Sequence, residues 1–191
     1  MIGNALAAEK ILILGDSLSA GYGMASEQSW PALLQARLTH TGSDWQVVNA
    51  SISGETTAGG RSRLPALLTR ERPRLVVIAL GANDGLRGLP LMQMRENLTA
   101  MVRQAKGAGA RVLLVGMRLP PNYGLEYSRA FSEVFAAVAK QEKTAWLPFL
   151  LEPIALDEAA FQPDRLHPTA AAQAAILEHL WPVLQPLLKR P

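Results

Sequence analysis

Residues 10–23 read KILILGDSLSAGYG, an apolar run that ends in a glycine-rich turn with a hydroxyl side chain at its tip. A short run of Ile and Leu bounded by turn residues is typical of a fully buried strand. Four further runs of this kind follow. The five predicted strands cover residues 10–14, 45–49, 74–80, 111–117 and 144–147. Such strands, alternating with helices, indicate a parallel sheet covered on both faces.

The segments between the predicted strands have the periodicity of amphipathic helices. Met94, Leu98, Met101 and Ala105, for example, recur at intervals of three and four residues, which places them on one helical stripe. The predicted helices cover residues 29–39, 60–70, 90–106, 126–141 and 169–188. Right-handed crossovers then predict an α/β fold, a three-layer α/β/α sandwich whose five-stranded parallel sheet has the flavodoxin-like order 2-1-3-4-5. Ligands bind to such sheets beyond the carboxyl ends of the strands, where the winding reverses.

The composition is that of a folded globular chain. Of 191 residues, 49% are hydrophobic and 18% charged, and we predict one domain over residues 9–191. The net charge of +3 is too small to indicate nucleic-acid binding. The absence of cysteine excludes disulfides, thiolate metal sites and a cysteine nucleophile. No apolar run approaches the roughly 20 residues that span a bilayer, so we expect no integral membrane segment. We also expect a monomer.

The beginning of the chain resembles a processing site. Ala5-Leu6-Ala7 has the small-x-small form that signal peptidase cleaves, directly before the first strand. We therefore interpret residues 1–8 as the remnant of a signal peptide and its cleavage region, which predicts a periplasmic protein. The alternative is an ordinary terminal segment.

The turn after the first strand carries Ser17 between several glycines, and several chemistries use such a turn. No Gly-Lys pair occurs in the chain, which excludes a Walker phosphate loop, and no run fits the dinucleotide fingerprint. The nucleophile elbow Gly-x-Ser-x-Gly also fails, because Ser19 stands where the second glycine belongs. Taken alone, Ser17 is equally well explained as a helix cap.

The loops after the second and third predicted strands supply hydrogen-bond donors near this turn. Acyl transfer needs donors directed at the developing oxyanion, and the backbone N–H groups of Ser17 and Gly54 and the Asn83 amide are candidates for them. Gly54 has no side chain to obstruct its N–H. For either loop alone, ordinary turn chemistry explains the same residues.

A long irregular stretch, residues 148–168, contains four prolines and is predicted to be a functional loop. It holds Asp164 three residues before His167, a spacing that lets the carboxylate accept from the δ nitrogen of the ring. The other histidines, His40 and His179, have no acidic residue at that spacing and are predicted to be surface or packing residues. A serine hydroxyl needs such a base to become a nucleophile. The candidate catalytic residues are therefore Ser17, His167 and Asp164.

Read together, the four loops resemble the SGNH (GDSL) hydrolases block by block. The matching blocks are GDSLS at 15–19, Gly54, GAND at 81–84, and the pair Asp164 and His167. The runs GLRGL at 85–89 and RLPPNYG at 118–124 are similar to the bacterial periplasmic branch of thioesterases and lysophospholipases. The resemblance implies a nucleophile at Ser17, completed by Asp164 and His167, and oxyanion donors at Ser17, Gly54 and Asn83. It implies no metal and no organic cofactor.

The resemblance further implies a broad-specificity esterase and thioesterase that acts on small-molecule acyl esters. Apolar side chains after the third and fourth strands are predicted to line the acyl site. Gly85 and Gly88 are predicted to make the loop after the third strand mobile. The predicted substrate-binding residues are Leu86, Leu89, Leu119, Pro120 and Tyr123. One alternative is a carbohydrate acetylesterase of the same superfamily. Another is a flavodoxin-like module that binds a phosphate-bearing ligand, which leaves the Asp164 and His167 pair unexplained.

Overall fold

A computed structural model of the protein describes residues 8–189. Its centre is a five-stranded sheet in which every pair of neighbouring strands is parallel. The strands are β1 (Glu9–Gly15), β2 (Trp45–Asn49), β3 (Leu75–Ala79), β4 (Arg111–Val115) and β5 (Ala145–Leu147). Their order is β2-β1-β3-β4-β5, which confirms the predicted topology.

Helices cover both faces of the sheet. The α-helices are α1 (Ser17–Ala20), α2 (Trp30–His40), α3 (Thr57–Glu71), α4 (Ala82–Leu86), α5 (Leu91–Gly107), α6 (Leu125–Glu142) and α7 (Gln173–Leu184). The side chains of a strand point alternately to its two faces. Ile11 and Ile13 accordingly belong to the core under α2 and α7, whereas Leu12 and Leu14 belong to the core under α3, α5 and α6.

The predicted elements and the structure differ mainly at helix ends and in very short helices. The predicted last helix, residues 169–188, is a 3₁₀ turn, then α7, then a second 3₁₀ turn at Gln185–Leu188. The helices α1 and α4 have only four and five residues, too few for an apolar period to form. The predicted irregular stretch, residues 148–168, holds two 3₁₀ turns and one isolated bridge.

The sequence also predicted a signal-peptide remnant at residues 1–8 and no integral membrane segment. Of the interpreted signal remnant, residues 1–7 lie outside the described part of the chain. No helix within residues 8–189 combines the length and the apolar composition that crossing a membrane requires.

Candidate active site

Ser17 sits in the tight turn that joins β1 to α1. Asp16 is the N-cap of α1, and its carboxylate accepts the N–H of Leu18 at 3.1 Å. Ser17 is therefore the first residue of the helix, where an N–H has no intrahelical acceptor. Gly15 must be glycine, because a Cβ there would lie 2.7 Å from Ser19 Oγ and 2.9 Å from the Oγ of Ser51. The loops after β1 and β2 are thereby held in close contact.

His167 and Asp164 reach Ser17 from the loop that precedes α7. His167 Nε2 lies 2.8 Å from Ser17 Oγ, and His167 Nδ1 lies 2.7 Å from Asp164 Oδ2. Because a carboxylate only accepts, Nδ1 carries the proton and Nε2 is free to accept from the serine hydroxyl. In this arrangement the imidazole can take the hydroxyl proton while Ser17 attacks.

The Asp164 carboxylate is held ionised. Its Oδ1 atom accepts the backbone N–H groups of Leu166 and His167, each at 2.9 Å. Partial burial raises the pKa of Asp164, but these two donors, together with the His167 ring, outweigh that effect and lower it to about 2. Arg165, between Asp164 and His167, has φ of 57°, the left-handed conformation that closes the turn around the carboxylate.

Gln162 and Tyr22 connect the histidine loop to the serine loop. Gln162 donates its backbone N–H to the His167 carbonyl at 2.7 Å. Its side-chain amide donates to the carbonyls of Tyr22, at 2.8 Å, and Pro168, at 3.0 Å. The Tyr22 ring lies over the His167 ring, with 4.4 Å between their centroids. These contacts fix the orientation of the imidazole relative to Ser17.

The two other predicted oxyanion donors lie in the neighbouring loops. Asn83 Nδ2 donates to the carbonyl of Glu55 at 3.1 Å and lies 3.4 Å from Asp16 Oδ2. Gly54 has φ of +79°, and its carbonyl accepts from Arg87 at 3.0 Å. Within residues 8–189 the Gly54 N–H has no hydrogen-bond acceptor. The site thus brings one side-chain amide and two backbone donors to the loops around Ser17.

Two buried carboxyl groups beside the site escaped the sequence analysis. Asp16 is 2% exposed, and burial raises its pKa to about 6 although the Leu18 N–H and His167 oppose the rise. Asp84 is also buried; its two oxygens accept the N–H of Thr57 at 2.8 Å and the Thr57 hydroxyl at 2.5 Å. Asn97 in turn donates to that hydroxyl at 3.1 Å. This network fixes α4, and with it Asn83, against α3 and α5.

The predicted substrate-binding residues divide into surface and core. Leu89 is exposed, and Leu86, Pro120 and Tyr123 are partly buried. Leu119, in contrast, is only 9% exposed and packs with Phe131 against Gly85. The prediction that Leu119 lines an open acyl site is therefore wrong, because its side chain turns into the core.

Gly85 and Gly88 were both expected to make the loop after β3 mobile, but Gly85 is tightly packed in the structure. A Cβ on Gly85 would lie 2.5 Å from the Phe131 ring, so Gly85 is required by close packing. The hydroxyl of Tyr123 donates to the Leu86 carbonyl at 3.0 Å, and that of Tyr127 to the Gly85 carbonyl at 3.2 Å. Of the two glycines, Gly88 alone is free of close packing: its φ is +64°, and no atom lies within 4 Å of the position a Cβ would take.

The remaining histidines lie away from these loops. His179 Nε2 is 3.0 Å from the Phe149 carbonyl, and His40 is exposed at the end of α2. Among residues 8–189, no group of three or more histidine or acidic side chains is arranged to hold a metal ion.

The fold and the Ser17, His167 and Asp164 contacts are those of a serine hydrolase with an α/β/α sandwich. The GDSL-like Lipase/Acylhydrolase family model matches residues 13–175, and the chain belongs to that family. It is a hydrolase of the SGNH (GDSL) type, as the sequence blocks predicted.

Two relatives and two solved structures illustrate the similarity. Esterase TesA of Pseudomonas aeruginosa is 55% identical over 182 residues, 95% of this chain and 90% of that protein. Thioesterase 1/protease 1/lysophospholipase L1 of Escherichia coli is 45% identical over 188 residues, 96% of this chain and 87% of that protein. The crystal structure of TesA superposes with a TM-score of 0.92 at 54% identity, covering 94% of this chain and 99% of that one. The structure of the psychrotrophic esterase EstA from Pseudoalteromonas sp., inhibited by monoethylphosphonate, superposes with a TM-score of 0.90 at 41% identity. The match covers 95% of this chain and 100% of that one.

Proposed function

We propose that this protein is a broad-specificity serine esterase and thioesterase that hydrolyses aryl esters, lysophospholipids and acyl-CoA thioesters through an acyl-Ser17 intermediate. The observation that carries the proposal is the 2.8 Å contact from His167 Nε2 to Ser17 Oγ, continued by the 2.7 Å contact from Nδ1 to Asp164. The substrate classes are supported by the relatives, which are named as an esterase, an arylesterase and a thioesterase with lysophospholipase activity.

In the first half-reaction Ser17 Oγ attacks the acyl carbonyl carbon, and its proton moves to His167 Nε2. The carbonyl oxygen becomes an oxyanion, and its proposed hydrogen-bond donors are the N–H groups of Ser17 and Gly54 and the Asn83 amide. The intermediate collapses, and the alcohol or thiol leaves with the proton from His167. Throughout, the carboxylate of Asp164 offsets the positive charge on the imidazole.

In the second half-reaction water replaces the leaving group. His167 accepts a proton from water as the water oxygen attacks the acyl-Ser17 carbonyl, and it returns that proton to Ser17 Oγ when the carboxylic acid departs. No cofactor takes part in either step as proposed. The enzyme is regenerated with Ser17 and His167 in their starting protonation states.

The acyl chain is proposed to lie against the loop after β3 and the start of the segment after β4. Leu86, Leu89, Pro120 and Tyr123 supply the apolar surface there. Each buried methylene contributes about 0.8 kcal/mol, so a chain longer by several carbons gains binding energy as long as it stays in contact. A carbohydrate acetylesterase has no such gain.

A covalent phosphonate probe tests the nucleophile. We expect one equivalent to label Ser17 and to abolish hydrolysis, because the related EstA was obtained inhibited by monoethylphosphonate. Ser17→Ala should lose labelling and about a million-fold in kcat. Ser19→Ala, in the same turn, is the matched control and should retain labelling. Labelling elsewhere would refute the nucleophile, and an absence of labelling would favour a module that only binds a phosphate-bearing ligand.

A homologous series of p-nitrophenyl esters and acyl-CoA thioesters tests the substrate class. We expect kcat/KM to rise from acetyl to medium and long acyl groups with a broad optimum, measured below the aggregation concentration of each substrate. A sharp maximum at acetyl would instead indicate the carbohydrate acetylesterase.

The periplasm is the proposed site of action, and the protein is proposed to act there as a monomer. The signal-peptidase-like Ala5-Leu6-Ala7 before β1 supports the location. Fractionation of cells that express the natural gene tests it: esterase activity should be released with the periplasmic fraction, and retention inside the spheroplasts would contradict it.

A further inference from the structure

The exposed apolar side chains of the protein are concentrated at one edge. Within residues 8–189, the large hydrophobic residues that are exposed are Tyr22, Ile52, Leu89, Met92, Leu125 and Leu156. Each lies between the carboxyl end of a strand and the first turn of the following major helix, and all five strands contribute. We name this set the apolar rim. Because the strands are parallel, the apolar rim surrounds the same edge as Ser17 and His167.

The opposite edge of the sheet has a different surface. Its connections, residues 41–44, 72–74, 108–110 and 143–144, expose no large hydrophobic side chain. Charged residues such as Arg72 and Lys143 stand there instead. Exposed hydrophobic residues that are scattered over a whole surface need no explanation, whereas within residues 8–189 those of large size all follow the carboxyl ends of strands.

A groove rich in arginine adjoins the apolar rim at Met92. Arg61, Arg95 and Arg103 line this groove, which extends from Met92 to Gln141 and also contains Glu96. Arg103 is paired with Glu142 at 2.9 Å, so the candidate cations of the groove are Arg61 and Arg95. The guanidinium of Arg61 donates to the Asn97 side chain and that of Arg95 to the neutral amide of Gln141. Their charge is thus left without a hydrogen-bonded carboxylate, which favours a phosphate group.

We propose that the apolar rim and the arginine groove dock the enzyme onto a phospholipid surface. The rim inserts between the headgroups, Arg61 and Arg95 contact lipid phosphates, and Ser17 faces the lipid layer from which acyl substrates are withdrawn. Exposed apolar groups flanked by cations are the combination that holds a protein at a membrane interface. The inference rests on the proposed function, because an acyl-ester hydrolase gains from contact with the surface that holds its substrates.

Co-sedimentation with phosphatidylcholine vesicles tests the docking. These vesicles have no net charge, so the overall positive charge of the protein does not bind it to them. The triple variant Met92→Ser, Leu125→Ser, Leu156→Ser should bind at least about ten-fold more weakly than wild type. The control Arg70→Ser, Lys140→Ser alters exposed cations at the opposite edge and should bind as wild type does. Equal binding by the triple variant and wild type, or no binding by wild type, would overturn the proposal.

A second pair of variants tests the phosphate contact. Arg61→Gln with Arg95→Gln should weaken binding to phosphatidylcholine vesicles and leave binding to uncharged maltoside micelles unchanged. Equal weakening on both surfaces would refute the phosphate contact. If lipid-free wild type were a dimer that the triple variant converts to monomers, the apolar rim would be an interface between two copies and the proposal would fail.

Hydrolysis of a monomeric aryl ester separates this proposal from the proposed function. The triple variant of Met92, Leu125 and Leu156 and the double variant of Arg61 and Arg95 should keep wild-type kcat/KM on that substrate. None of these five residues belongs to the proposed catalytic or acyl-binding set. Failure of the proposed function would appear as a wild-type protein that hydrolyses no ester, whatever its vesicle binding. Failure of the docking proposal would leave ester hydrolysis intact.

Discussion

Two aspartates flank the Ser17 and His167 pair, and their surroundings have opposite effects on them. The Asp164 side chain is 42% exposed and accepts three N–H groups, and its pKa falls to about 2. Asp16 is 2% exposed and accepts the Leu18 N–H, with the Asn83 amide at a longer 3.4 Å, and its pKa rises to about 6. Burial raises the pKa of Asp16 more than its donors lower it, whereas at the more exposed Asp164 three donors outweigh the effect of burial.

The largest expected difference between the two aspartates is in turnover. Asp164→Ala should lower kcat by roughly ten-thousand-fold, because the imidazole loses both its orientation and the charge that stabilises its protonated form. Asp16→Asn keeps the shape and the acceptor for Leu18, so its kcat should fall far less. Steady-state kinetics of both purified variants on one aryl ester measure the contrast. Equal losses would mean that the two carboxyl groups do not have separate roles.

Asn83, whose amide lies 3.4 Å from Asp16, is the proposed side-chain donor to the oxyanion. Asn83→Ala should lower kcat by roughly 100 to 1,000-fold with little change in KM, because an oxyanion donor acts on charge that develops in the transition state. The same ester series used for wild type measures both constants. A raised KM with unchanged kcat would instead make Asn83 a ground-state contact of the substrate.

The buried carboxyl of Asp16 predicts a pH-dependent difference in stability. Its pKa is 3.8 when unfolded and about 6 when folded, so the folded state binds more protons between these values. The free energy of unfolding of wild type should therefore decrease relative to Asp16→Asn as the pH rises from about 4 to about 6, by up to roughly 3 kcal/mol. Urea unfolding of both proteins across this range measures the difference. A difference that stays constant with pH would contradict the assigned pKa.

The smallest expected effect concerns one hydrogen bond at a partly exposed site. Tyr123→Phe removes the bond to the Leu86 carbonyl and should lower the free energy of unfolding by about 1 kcal/mol. Tyr127→Phe, which removes the neighbouring bond to Gly85, is the matched comparison. Urea midpoints measure both. If Tyr123→Phe also left the acyl-length profile unchanged, this bond would have no part in shaping the substrate surface.

The sequence predicted the parts of this protein that depend on local patterns. Apolar runs and helical periods gave the sheet order, and the spacing of Asp164 and His167 predicted the contact that the structure shows between them. Asp16 and Asp84 were missed, because an aspartate in a glycine-rich turn has the same pattern whether it is exposed or buried. The partners of Asp84 are distant in sequence: its carboxylate accepts from Thr57 of α3, whose hydroxyl in turn accepts from Asn97 of α5.

Side-chain direction in loops is the other feature that the pattern did not determine. Leu119 and Leu89 are both apolar residues in loops at the catalytic edge, yet one packs on Phe131 and the other is exposed. A loop has no fixed period, so no rule of spacing distinguishes the two. Leu119 and the Phe131 ring pack closely against Gly85, which has no Cβ, and this arrangement is defined only in the folded chain.

The contact between Ser17 and His167 joins residues 150 positions apart, one beside the first strand and the other before the last helix. During synthesis the amino-terminal half emerges first, and at that stage the serine has no base. In the proposed mechanism, hydrolysis therefore requires the loop before α7 to have docked, and a chain truncated before His167 should hydrolyse no ester. Recovery of ester hydrolysis during refolding should therefore report formation of the contact between Ser17 and His167.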